Sequence, residues 1–234
     1  MIAASDGAGM IVVQVLMVTS FVVAAIVAAI KQGRGDRQRS LNLQTLATRL
    51  GFDDFNPNRD EGFAMGWGFL SRLAQGNDRY AFNILRGTYH EQRLFVFDYH
   101  HQTVSGKSVE DHYFTMLMLV CQEVFTQVTI DPGGESLLAK MAAAFGGEND
   151  IKFESAEFSR AFCVRSKDKR FAYAVCNPQM IEYLLANRDL QIEIQGPVIL
   201  LVFEPQLPVG QIEFNLQRLI EIRSRLPEYL FTNT

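Results

Sequence analysis

From Gly9 to Ile30 the chain runs for 22 residues without a charged side chain. A helix of that length reaches about 33 Å at about 1.5 Å per residue, enough for a hydrocarbon core of about 30 Å. A helix buried in a globular core would show a polar stripe, and this run shows none. It therefore predicts a transmembrane helix over 9–30. A cleaved signal peptide would need a basic segment ahead of a shorter apolar core, yet residues 1–8 hold Asp6 and no Lys or Arg. The positive charges follow instead, at Lys31, Arg34, Arg37 and Arg39. By the positive-inside rule this collar stays in the cytoplasm and the N-terminus crosses. The expectation is a single-pass membrane protein: a short tail over 1–8, the span, a basic linker over 31–39, and a cytoplasmic domain over 40–234.

Ser20, Ala24 and Ala28 recur every fourth residue in that run. Small side chains at this spacing let two helices approach closely, so they form a candidate helix–helix packing face for a homodimer. The plainer reading is that lipid tolerates Ala and Ser.

Periodicity in 40–234 changes repeatedly. Leu43, Leu46 and Leu50 share a helical face that Gly51 can end. Residues 52–68 read as irregular, and Phe69 to Leu73 as a helical turn. From Arg79 the period becomes two, giving strands over 79–86, 93–103, 112–125 and 127–130 in an antiparallel meander. Short strands follow at 151–153 and 161–165. A helix is read at Lys169 to Val175, and Asn177-Pro178 supply an N-cap and first position for another. Gln191 to Gln195 and Val198 to Phe203 read as a hairpin across Gly196-Pro197. A final helix carries Ile212, Leu216, Leu219 and Ile220 on one stripe. The fold class expected is α+β: an N-terminal transmembrane helix, then a mainly antiparallel, curled sheet with interleaved helices and a C-terminal amphipathic helix.

Charge narrows the functional classes. The net charge is −4; the first forty residues carry +2 and the rest −6. An acidic domain beside a basic collar argues against nucleic-acid binding. Cys121, Cys163 and Cys176 form no C-x-x-C pair and sit in apolar runs, so they read as small hydrophobes rather than a disulfide framework.

The motifs are weak. Ser105-Gly106-Lys107-Ser108 is half of a P-loop, but His101 stands where the first glycine belongs and both flanks read as strand, so it is a hairpin turn. Asp53, Asp54, Asn56, Asn58 and Asp60 suggest a calcium loop until Arg59 and Met65 fall where Gly and Glu are needed. With the turn centred on Gly106, His100 faces His112, and Asp98 lies two residues from His100 along the same strand. These three are the candidate metal ligands, weighed against an exposed polar pair near a hairpin tip. Asp98, in the apolar run Phe97-Asp98-Tyr99, is also a candidate for a buried, perturbed carboxylate. No cofactor is implied.

Asn83-Ile84-Leu85-Arg86-Gly87, Val96-Phe97-Asp98-Tyr99 and Thr103-Val104-Ser105-Gly106-Lys107 follow in an order that resembles a family of uncharacterised bacterial single-pass membrane proteins. Asp150-Ile151-Lys152-Phe153, Glu157-Phe158-Ser159 and Asn177-Pro178 continue it. The resemblance covers about residues 40–231. It departs at Val109-Glu110-Asp111, where the family tends to be basic, and at Ala172, where Arg is usual. It implies an anchor and a shared domain, and carries no activity or catalytic residues. The reading is a non-enzymatic interaction or scaffold module whose partners are the lipid bilayer and a protein or second copy. The alternatives are a metal-dependent hydrolase and a lipid-binding module.

Overall fold

A computed structural model describes residues 33–133 and 150–231. The chain divides into two units, 1–43 and 44–234. In the first, residues 33–43 are helical, and Gln38 Nε2 donates to Asn42 Oδ1 at 3.0 Å.

The second unit is α+β around one unclosed, antiparallel sheet. Its strands are β1 (Asp54–Asn56), β2 (Asn77–Tyr89), β3 (Gln92–Ser105), β4 (Ser108–Pro132), β5 (Asp150–Ile151), β6 (Phe162–Ser166) and β7 (Gln191–Phe203). Helices α1 (44–50), α2 (Glu61–Gly66), α3 (Ser71–Ala74), α4 (Ala156–Ala161), α5 (Lys169–Val175), α6 (Pro178–Ala186) and α7 (Ile212–Arg225) accompany them.

The sheet is organised by β4, which is 25 residues long. Its first half lies between β3 and β7; its second half lies between β6 and β7. Where the halves meet, the β4–β7 register slips twice, between Val120 and Val128. Such irregularities bend a strand without ending it. The expected strands at 112–125 and 127–130 are therefore one. The expected hairpin across Gly196-Pro197 is one strand as well: Gly196 (φ +56°) pairs with Phe125, and the extra residues of the irregularity lie on β4.

Alternation along β3, β4 and β7 fills both sides of the first half. Phe95, Phe97, Tyr99, Met116, Met118, Val198 and Leu200 join Ala64, Leu70 and Leu73 in one core. The alternate residues Leu94, Val96, Leu117, Leu119, Ile199 and Leu201 are buried too, and α7 packs on β4 and β7 through a stripe of Ile212, Leu216, Leu219 and Ile222. Burying each such side chain contributes about 1.5–3 kcal/mol. The start of α6 is as expected: Asn177 Oδ1 accepts from the Met180 amide at 3.1 Å, with Pro178 following.

The expectation of a single-pass membrane protein with a cytoplasmic domain is corrected here. No helix among the described residues is long and apolar enough to cross a membrane. The C-terminal helix α7 has 14 residues, about 21 Å, and carries Glu and Arg along its length. The run 9–30, with Ser20, Ala24 and Ala28, lies outside the described residues.

Candidate functional site

Ser105 pairs with Ser108 across the β3–β4 turn, so the loop is the two residues Gly106-Lys107 and the axis of pairing falls between them. Gly106 supplies the positive φ, +61°, that a two-residue hairpin requires at its first position. The axis moves half a residue from the one expected, and every partner changes. His101, not His100, faces His112, and His100 faces Tyr113. Because side chains alternate, this puts His100 and His112 on opposite faces of the sheet.

The three expected metal ligands therefore go to three places. His112 uses Nδ1 toward Glu204 Oε1 at 3.0 Å and Nε2 toward Thr103 Oγ1 at 2.9 Å. Asp98 is buried and accepts from Asn83 Nδ2 at 2.9 Å and Thr115 Oγ1 at 3.1 Å; Thr115 Oγ1 in turn accepts from the Leu207 amide at 3.0 Å. His100 donates from Nδ1 to the Asp78 carbonyl at 3.1 Å and holds Asp111 Oδ1 through Nε2 at 2.8 Å. Both its nitrogens are engaged, so neither offers a lone pair to a metal. Among the described residues no group of three or more His, Cys, Asp or Glu is placed to hold one.

His100 instead leads to a site that sequence reasoning missed. Asp78, whose carbonyl it holds, lies in the wall of a cleft of about 290 Å³. The cleft lies where α2 and α3 meet the start of β2, with Arg59, Glu61, Asn77, Asp78 and Arg79 as its polar wall and Ala64, Met65 and Leu73 as its apolar one. Arg59 spans the charges, with Nε on Glu61 Oε1 at 3.0 Å and Nη2 on Asp78 Oδ1 at 2.6 Å, and its guanidinium stacks 4.0 Å from the centre of the Tyr80 ring. The Asp78 contact, ahead of the other interactions, holds the Arg59 pKa above its ordinary value. Asp111 behind His100 is held below the usual carboxylate range, first by Gln102 Nε2 at 2.9 Å and then by His100.

Local folding follows from caps. Asp60 Oδ1 accepts from the Phe63 amide at 2.8 Å, so the acid that resembled part of a calcium loop is the N-cap of α2. The N-terminus of α3 rests on β7. Glu193, with no exposed surface, accepts from the Ser71 amide at 2.7 Å and the Arg72 amide at 3.1 Å, and from Gln127 Nε2 at 3.0 Å. Arg72 then donates to buried Asp131, which also accepts from Gln191 Nε2 at 2.9 Å. This network fixes Leu73 against the sheet, where its carbonyl accepts from Tyr99 Oη at 3.0 Å and Arg79 Nη1 at 3.2 Å.

The cysteines are not poised as nucleophiles. The three thiols are unpaired, and burial pushes Cys121 and Cys163 up to about 11 and Cys176 higher still. Thiols of that kind are not thiolates near neutral pH.

No family model matches this chain, and no curated protein matches it. Among solved structures it is similar to the mycobacterial trehalose monomycolate transport factor A, TtfA: TM-score 0.54, 14% identity, covering 82% of this chain and 97% of that one. At that identity the likeness is one of fold.

Proposed function

We propose that this protein is a non-enzymatic binding module that serves the transport of an acylated sugar. The observation that carries the proposal is the extent of the shared fold, which takes in 97% of a transport factor whose name specifies a trehalose lipid. The chemistry of the second unit supports the same reading. Its buried carboxylates, Asp98, Asp131 and Glu193, are hydrogen-bonded to Asn, Thr, Gln, Arg and backbone donors. His100 is committed on both sides, and each thiol is raised.

The test has two arms. Depleting the protein in its own cells should leave newly labelled acylated trehalose at its place of synthesis, while the purified protein should neither hydrolyse nor transfer the acyl group of a trehalose monoester. Normal delivery after depletion overturns the transport role. Turnover of the ester, lost in a variant of one named residue, overturns the non-enzymatic part.

A further inference from the structure

The cleft has a composition that selects among ligands. Its polar wall contains two guanidiniums, Arg59 and Arg79, and two carboxylates, Glu61 and Asp78, so its formal charge is zero. An anion entering it meets both carboxylates, and a cation meets both guanidiniums. A hydroxyl group donates and accepts at once, and it suits a wall that holds both N–H donors and carboxylate acceptors; the Asn77 amide adds one of each. At about 290 Å³ the cleft is at the small end of ligand sites, enough for a sugar head and too small to take a long acyl chain as well.

The apolar side of the cleft does not stop at its rim. Met65, which lines it, is 72% exposed, and four residues further on Phe69 is 42% exposed. Trp67 stands between them in sequence, its ring centre 6.0 Å from that of Phe69. This segment is an uncharged apolar run, Phe63-Ala64-Met65-Gly66-Trp67-Gly68-Phe69, held at one end by the Asp60 cap and at the other by Glu193. Ala64 is buried and Phe63 and Trp67 pack against the core, so the apolar groups this segment offers outside are Met65 and Phe69. A neutral polar cleft edged by exposed Met65, with Phe69 beyond it, has the two-part chemistry of an amphiphile.

We infer that this cleft binds the sugar head of a neutral acylated sugar, with the start of the acyl chain lying along Met65 to Phe69. The inference rests on the transport reading above and names the ligand and the surface that takes it. Asn77 and Asp78 bond the hydroxyls, Arg59 fixes the Asp78 carboxylate through its 2.6 Å bond, and Met65 covers the carbon skeleton where it leaves the polar wall.

The test uses the full chain, free trehalose and a water-soluble octanoyl trehalose monoester, measured by calorimetry. The monoester should bind at least about tenfold tighter than trehalose, since apolar burial adds to the head contacts. Asn77→Ala, at an exposed position, should weaken both ligands. Met65→Ser should weaken the monoester by a clearly larger factor than it weakens trehalose. Melting curves matching the parent for both variants show that the fold is kept. Monoester binding that neither substitution alters, or binding of a partner protein but of neither sugar, overturns the inference. Failure here with delivery still dependent on the protein sinks the cleft alone; intact sugar binding with normal delivery after depletion sinks the transport role alone.

Discussion

Glu193 contributes more than its position in an edge strand suggests. It is wholly buried, and its two oxygens take the first free amides of α3 together with Gln127. Removing the carboxylate strands three donors, each costing about 1–3 kcal/mol when buried without a partner. Glu193→Ala should therefore lower stability by about 3 kcal/mol in urea unfolding, and Glu193→Gln, which keeps one acceptor, by clearly less. His101 sets a pH dependence of its own. Its ring stacks on His112 at 5.0 Å and on Phe114 at 5.2 Å, with Glu204, His100 and Arg79 as the charged or titratable neighbours that act on it. Burial first, then His112, lowers its pKa, while Glu204 opposes them. The unfolded ring, near 6.5, takes up a proton before the folded one, so stability falls as pH drops below about 6.5 and levels off below the folded value. The melting temperature of the parent should decline across that window, and His101→Leu should flatten the decline.

At the scale of elements, two glycines separate what the sequence shows from what it hides. Gly76 ends the α3 segment at φ +71°, and a Cβ there would lie 2.5 Å from His101 Cδ2 and 2.6 Å from the Gln102 carbonyl oxygen. Gly76→Ala should cost at least about 3 kcal/mol, combining left-handed strain with a backbone clash, and should cut the yield of folded protein. Gly76 reads from sequence as a stop signal, which it is. Gly196-Pro197 also reads as a stop and is not, because a left-handed glycine serves within a strand, opposite an irregularity of its partner, as well as in a hairpin turn. The caps at Asn177 and the alternation in β2 and β3 were legible because they depend on neighbours in sequence. The α2 helix and β1 fall in 52–68, where Pro, Asn and Gly hide a six-residue helix with no periodicity to find. The site was less legible still. A half-residue error in the β3–β4 axis exchanged His100 for His101 opposite His112. The cleft joins residues 59–65 to 73–79 through the isolated bridge of Asp60 to Ala81, which no motif announces.

For the whole molecule, the antiparallel α+β class follows from alternation and turn spacing, while the sharing of one strand by two half-sheets does not. β4 is the common member of both, and β7 runs beside it from Thr115 to Ile130. Thr115 pairs with Phe203, 88 residues later in the chain. During synthesis β4 leaves the ribosome with β3 already at one edge and nothing for the other until that distance has been translated. At about 5–20 residues per second the wait is roughly 4–18 s. Through that interval Met116 to Val120, five apolar residues in a row, present an open edge, so newly made chains should be caught by chaperones on arrest shortly before residue 190 and released once β7 is complete.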